Sequence, residues 1–172
     1  TAQNLWKVYL GLTVLCGVSY YAAGMNIFDA FAHSFSTIAI GGFSTHSDSI
    51  AYFNNPVIEV VCIVFMFLSS LNFILHFFSL KNRDLNVYTS DIESKSNFII
   101  IISSCLILIT YLYVSSEDNI YYSDLIFQVV SFATTSGFTS TSYDQWPAII
   151  ITSLLFLSFI GACAGSTGGG IK

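Results

Sequence analysis

Thr37-Ile38-Ala39-Ile40-Gly41-Gly42-Phe43-Ser44-Thr45 decides how this chain is read. The stretch carries glycine and hydroxyl groups and lies between two apolar segments. A second stretch of the same kind, Ala133-Thr134-Thr135-Ser136-Gly137-Phe138-Thr139-Ser140, follows further along. Lipid cannot satisfy the backbone groups of an irregular polar segment. At membrane depth such a segment must be buried in protein or must line water.

Composition supplies the membrane setting. Of the 172 residues, 54% are hydrophobic and only 9% charged, and the mean hydropathy is +0.72. An ordinary soluble domain carries about a quarter charged residues. The cysteines, Cys16, Cys62, Cys105 and Cys163, fall in four different apolar segments with no close metal-binding spacing, and read as small buried hydrophobes. The chain opens on Thr1-Ala2-Gln3-Asn4 without a basic leader and stops at Gly170-Ile171-Lys172, so it reads as a piece of a longer chain.

Working outward from the first glycine stretch, Leu5 to Gly24 has the length to cross a bilayer, with Trp6 and Lys7 suited to its interface. Asn26 and Asp29 suit the start of a second helix, expected over 29–39, which is too short to span and so re-enters the membrane. The filter stretch over 40–44 follows, then a polar loop to Pro56, which favours a helix start. A second span is expected over 57–80, with Asn72 and His76 on one face of it, read as a polar contact between helices or an interfacial pair ahead of an ion-handling role. Residues 81–97 read as a polar linker, and 98–114 as a third span. Ser123-Asp124 resembles a helix cap, 124–134 a second short helix, and 135–139 a second filter stretch. Pro147 then precedes a last span over 148–172, broken by Gly161-Ala162-Cys163-Ala164-Gly165-Ser166-Thr167-Gly168-Gly169-Gly170. Each glycine costs a helix interior roughly 1 kcal/mol relative to alanine, so that run is not helical.

One constant offset, 124 − 29 = 95, pairs Asp29 with Asp124, Ser36 with Ser131, Gly42 with Gly137 and Phe43 with Phe138. The chain is therefore an internal repeat: span, short re-entrant helix, Gly-Phe-hydroxyl loop, proline-initiated span. The fold class that follows is an all-α membrane protein of repeated span–pore helix–span units, of which 1–80 and 98–172 are two.

Charge orients the repeat. Lys7, Lys81, Arg83, Lys95 and Lys172 fall on the side opposite the Gly-Phe loops, or at a chain end bound for it, which makes that side cytoplasmic. The loop side has Asp29, Asp48, Glu59, Glu117, Asp118, Asp124 and Asp144 with no lysine or arginine. Such a face concentrates cations and repels anions. The short helices turn partly negative C-termini to the loops, and glycine gives those loops torsions closed to other residues. Carbonyl rings of this kind replace the water around a potassium ion. The expected ligands are the backbone carbonyls of Ile40, Gly41, Gly42, Thr135, Ser136 and Gly137, not side chains, which is how Ile40 can pair with Thr135.

Three runs then place the chain: His33 to Asp48, Asn72-Phe73-Ile74-Leu75-His76-Phe77, and above all Gly161 to Lys172. Together they resemble the TrkH-type members of the Trk/Ktr/HKT potassium-transport superfamily over essentially the whole chain. The resemblance implies a pseudo-fourfold pore of four units, of which this chain matches the second and third. It also implies that the glycine-rich break (Gly161, Gly165, Ser166, Thr167, Gly168, Gly169, Gly170 and Lys172) is an intramembrane gate below the filter. Further implications are a homodimer in a bacterial inner membrane, among lipid, with a cytosolic nucleotide-binding regulatory subunit of RCK type. No cofactor and no nucleic acid are implied; potassium is the cargo.

Enzyme readings fare poorly. A phosphate loop needs lysine directly after its last glycine and then a hydroxyl, whereas Ile171 precedes Lys172. His46-Ser47-Asp48 are adjacent, and a catalytic triad needs side chains converging from separate elements. A non-conducting structural or receptor-like module is the alternative to a pore.

Overall fold

The computed structural model describes residues 2–115 and 120–171. Its helices are α1 (Ala2–Ala22), α2 (Ile27–Ile38), α3 (Pro56–Ser70), α4 (Phe73–Asn82), α5 (Asn86–Ser90), α6 (Ile92–Ser115), α7 (Tyr122–Ala133) and α8 (Ala148–Ile160), with a short 3-10 turn at Ser49–Phe53. Among the described residues there is no strand. The second half repeats the first: α1 packs on α2 as α6 packs on α7, and α2 on α3 as α7 on α8. Contact of α3 with α7 joins the two units.

Local chemistry sets the helix ends. Asn26 caps α2 by accepting the Asp29 N–H at 2.8 Å, while its own amide donates to the Asp29 carboxylate at 2.6 Å. The cap of α7 lies at Tyr121, with no side-chain bond, rather than at Ser123-Asp124. Asp124 sits instead in the first turn, as Asp29 does. Pro56 occupies the first turn of α3 behind Asn55, whose side chain accepts the Val57 N–H.

The span expected over 57–80 is not continuous. It breaks after Ser70, and α3 and α4 meet at 95°. Asn72 is the N-cap of α4 and accepts the Ile74 N–H at 2.9 Å, so it does not share a helix face with His76. A capping amide inside an apolar run stabilises a new helix start, and that favours the bend. The third long helix begins at Ile92, inside the stretch expected to be linker, and α5 lies in the same stretch. At 24 residues, α6 is long and apolar enough to cross a membrane, and the bent α3–α4 pair passes the same test as one span.

A continuous core of Tyr20, Ile38, Met66, Phe127, Phe138 and Leu154 runs between the two units. Tyr20 is wholly buried, yet its hydroxyl pairs with that of Thr37 at 2.8 Å, which ties α1 to the end of α2. Outward faces carry exposed Leu10, Val14, Val18, Leu106, Ile107, Leu155 and Phe156. Apolar surface of that extent fits lipid or further protein better than water.

Candidate functional site

Each short helix ends in the same hydrogen-bonded loop. After α2, the Gly41 N–H returns to Ser36 O at 2.8 Å and the Ile40 N–H to Thr37 O at 3.1 Å. After α7, the Ser136 N–H returns to Ser131 O at 2.9 Å and the Thr135 N–H to Phe132 O at 3.0 Å. These are paired Schellman closures, which place the residue after the cap in the left-handed region. That residue is usually glycine. Here it is Ile40 at φ 51° and Thr135 at φ 63°, both β-branched. A β-branched residue there is a strained outlier held by its surroundings. Gly42 at φ 69° and Gly137 at φ 83° follow two positions later, while Gly41 and Ser136 between them do not share the positive φ.

The carbonyls of Ile40, Gly41, Gly42, Thr135, Ser136 and Gly137 accept no hydrogen bond among the described residues. The next two carbonyls of the second loop are taken: Ser131 Oγ donates to Phe138 O at 2.7 Å, and the Ala51 N–H to Thr139 O at 3.1 Å. Backbone carbonyls left without protein partners need water or an ion. The two loops also meet. A Cβ on Gly42 would stand 2.1 Å from Ser136 O, so only glycine lets the first loop pass the second.

Side chains behind the first loop hold it to α2. Thr45 Oγ1 donates to Asp29 Oδ1 at 2.5 Å, and His46 Nε2 lies 3.1 Å from Asp29 Oδ2. His33 bonds the Asp29 carbonyl and Ser44 Oγ through its two ring nitrogens, at 2.8 and 2.9 Å. His46 stacks on Tyr52 with centroids 3.5 Å apart. Burial alone would raise the Asp29 pKa, but hydrogen bonds from Thr45, His46 and Asn26 and the nearby imidazole bring it below the ordinary carboxylate value. Among the described residues Asp124 has only Ser140 Oγ, at 3.2 Å, and there burial wins and raises its pKa. Of the outer acids, Glu117 and Asp118 lie outside the described residues.

The glycine-rich run closes on itself. The Ala162 N–H donates to Gly169 O at 3.1 Å, and the Ile171 N–H to Phe159 O at 2.9 Å. A Cβ on Gly161 would meet Gly169 O at 2.4 Å, so the neck of the run admits no side chain there. Its far end bonds to both halves of the chain. Thr167 Oγ1 donates to Ile38 O at 2.8 Å, and the Gly169 N–H to Thr135 Oγ1 at 2.8 Å. Gly168 is buried against Thr134 O and Ile40 Cδ1. Gly165 and Ser166 lie at the tip, where Gly165 packs on the Asn72 amide, and Gly170 crosses Gly161 at the neck. Lys172 lies outside the described residues.

Sequence reasoning missed three residues here. Thr135 was read for its carbonyl, but its hydroxyl is what receives the glycine-rich run. Thr45 and His46 were read as plain loop, yet both hold Asp29. The offset of 95 that pairs Thr45 with Ser140 was the available signal for the second of these.

Short helices ending in matched glycine loops, each between longer helices, define an all-α membrane protein built of span–pore helix–span units. The family described as TrkH, cation transport protein, matches residues 1–172, and the chain belongs to that family. Among its relatives, the Trk system potassium uptake protein TrkH of Salmonella typhimurium is 48% identical over 178 residues, that of Escherichia coli K12 is 45% identical over 176, and that of Halomonas elongata is 44% identical over 176. In each case the whole of this chain is matched, and it spans 36% of the relative's length. The crystal structure of the potassium transporter TrkH from Vibrio parahaemolyticus superposes with a TM-score of 0.93 at 42% identity, covering 99% of this chain and 37% of that one. Family membership sets the enzyme readings aside.

Proposed function

We propose that this chain forms two adjoining walls, the second and third of four, of a potassium uptake pore in a bacterial inner membrane. The two pore units are joined through a cytoplasmic segment that carries α5, and the second unit begins with α6 at Ile92. Ions shed water onto the carbonyls of Ile40, Gly41, Gly42, Thr135, Ser136 and Gly137. The observation that carries this is the matched backbone of the two loops: left-handed at Ile40 and Thr135, left-handed again at Gly42 and Gly137, with the intervening carbonyls unpaired. A ring of such carbonyls needs four walls, and this chain holds two. Relatives named as potassium uptake proteins support the choice of ion.

The glycine-rich run is proposed as the gate. Its bonds to both proposed walls, from Thr167 to Ile38 O and from the Gly169 N–H to Thr135, support that reading. A homodimer and an RCK-type cytosolic subunit that sets the gate by nucleotide binding complete the proposal; both come from the family resemblance.

The test is potassium-dependent growth and flux by the full-length protein in a host lacking its own potassium uptake. Restored uptake with potassium favoured over sodium is expected. No potassium-dependent flux from a correctly inserted protein would overturn the pore reading in favour of a non-conducting module.

A further inference from the structure

The tip of the glycine-rich run is held by few bonds, some to the start of α6 and some to the break between α3 and α4. Glu93 Oε2, in the first turn of α6, accepts the Ala164 N–H at 2.9 Å across 71 positions of sequence. One turn further on, Asn97 Nδ2 donates to Ser70 Oγ at 3.1 Å and reaches Cys163 Sγ at 3.7 Å. On the opposite side, the Cys163 N–H donates to Ser70 O at 3.0 Å and the Phe73 N–H to Gly165 O at 3.2 Å. Ser70 and Phe73 flank the 95° break between α3 and α4. The tip therefore lies between two bodies, the α3–α4 corner and the start of α6.

A second set of bonds ties those bodies together. His76 Nε2 donates to Leu68 O at 2.9 Å, a carbonyl just before the break. The Nδ1 of the same ring is then an acceptor, and it lies 2.8 Å from the hydroxyl of Tyr88 in α5. So α5 grips the corner through Tyr88 and His76, while α6, which begins two residues after α5 ends, grips the loop through Glu93.

We propose that the α5–α6 corner is a latch on the glycine-rich run, with Glu93 as the positioning residue that holds its tip in place. The proposal rests on the reading of that run as a gate. A run this rich in glycine has much conformational freedom to lose, so a few external bonds decide where it sits. The bond from Glu93 is charge-assisted and exposed, so it can open without disturbing the buried core. The corner is also the part of the linker a cytosolic partner could reach. Drawing α5 and the start of α6 away from the corner withdraws Glu93 from Ala164 and frees the tip, without touching the filter. Selectivity is then independent of the latch.

The test uses the full-length transporter in proteoliposomes, without any regulatory subunit. Two quantities are read: potassium flux, and the rate at which a thiol reagent labels buried Cys163, followed on its own peptide by mass spectrometry. Glu93→Ala should raise both by roughly fivefold or more, the low end of coupling between linked sites, with the potassium-to-sodium ratio unchanged. Glu93→Gln keeps an acceptor oxygen and should return both to the wild-type level. Tyr88→Phe removes one hydroxyl and should raise labelling by a smaller factor. Unchanged labelling of Cys163 in folded Glu93→Ala and Tyr88→Phe proteins would overturn the latch. Deletion within Gly165–Gly169 separates the two ideas. Raised flux on deletion with unchanged flux in Glu93→Ala overturns the latch alone, whereas unchanged flux in both overturns the gate reading with it.

Discussion

Thr45 donates its hydroxyl to the carboxylate of Asp29 at 2.5 Å, and 95 positions later Ser140 repeats the bond to Asp124 at 3.2 Å. The two bonds tie each glycine loop back to the first turn of its own short helix. They differ in company. Asp29 also holds the Asn26 amide and His46, while among the described residues Asp124 has Ser140 alone.

Asp29→Asn should therefore destabilise the full-length protein, by about 2 kcal/mol for a buried charge-assisted network, and loosen the loop at Thr45 and His46. Asp124→Asn should be nearly neutral, because burial already disfavours that charge. Thermal unfolding in detergent decides it. Equal losses at the two sites would contradict the assignment.

The pH dependence of this contrast has a definite sign. A carboxyl with a folded pKa below its unfolded value stabilises above the unfolded value, here 3.8, and loses that contribution as pH falls through the folded one. The stability gap between wild type and Asp29→Asn should be full at neutral pH and should shrink below 3.8. Asp124 runs the other way: its raised pKa makes wild type lose stability as pH climbs from 3.8 through the folded value, and Asp124→Asn should remove that slope. Unfolding measured across the acid range reads both.

The glycines of the two loops should not respond alike. A Cβ on Gly42 meets Ser136 O at 2.1 Å, a backbone atom that cannot swing aside. Gly42→Ala should prevent assembly of the folded protein, seen as loss of a monodisperse peak in gel filtration. Gly137 has nothing within 4 Å of that position, though its φ is 83°. Gly137→Ser should fold at a cost of about 1 kcal/mol for the left-handed torsion, and should lower the potassium-to-sodium flux ratio. An unchanged ratio would contradict the filter assignment.

Thr135 links the second glycine loop to the glycine-rich run through one hydroxyl, which accepts the Gly169 N–H at 2.8 Å. Thr135→Ser keeps the bond and should conduct as wild type. Thr135→Val keeps the shape and loses it, leaving an N–H without its partner at a cost of about 1–3 kcal/mol. Single-channel or flux recordings should show a higher resting conductance for the valine variant only.

His76 should prove structural. Replacement by Leu strips Leu68 O of its donor and Tyr88 of its acceptor together. Melting temperature should fall, while the potassium-to-sodium ratio stays at the wild-type value. A shifted ratio would restore an ion-handling role for this ring.

Much of this was legible before any coordinates. The offset that pairs Asp29 with Asp124 and Gly42 with Gly137 is visible to the eye, because each unit must solve the same problem of ending a short helix in a glycine loop. Composition placed those loops between apolar helices. The bend at Asn72 was harder to see. An asparagine in an apolar run reads equally as a buried contact or as a cap, and only the path of the chain distinguishes them.

Sequence alone determined the all-helical repeat, the place of its two glycine loops and the non-helical end, since periodicity, glycine content and charge are local properties. Tertiary structure decided which of those pieces meet. Glu93 on Ala164, Thr167 on Ile38, Thr135 on Gly169 and Ser136 beside Gly42 are contacts across 34 to 129 positions of chain. A hydroxyl or a carboxylate can bond any backbone amide it reaches, so the identity of such a residue does not name its partner. The packing of the two units against each other does.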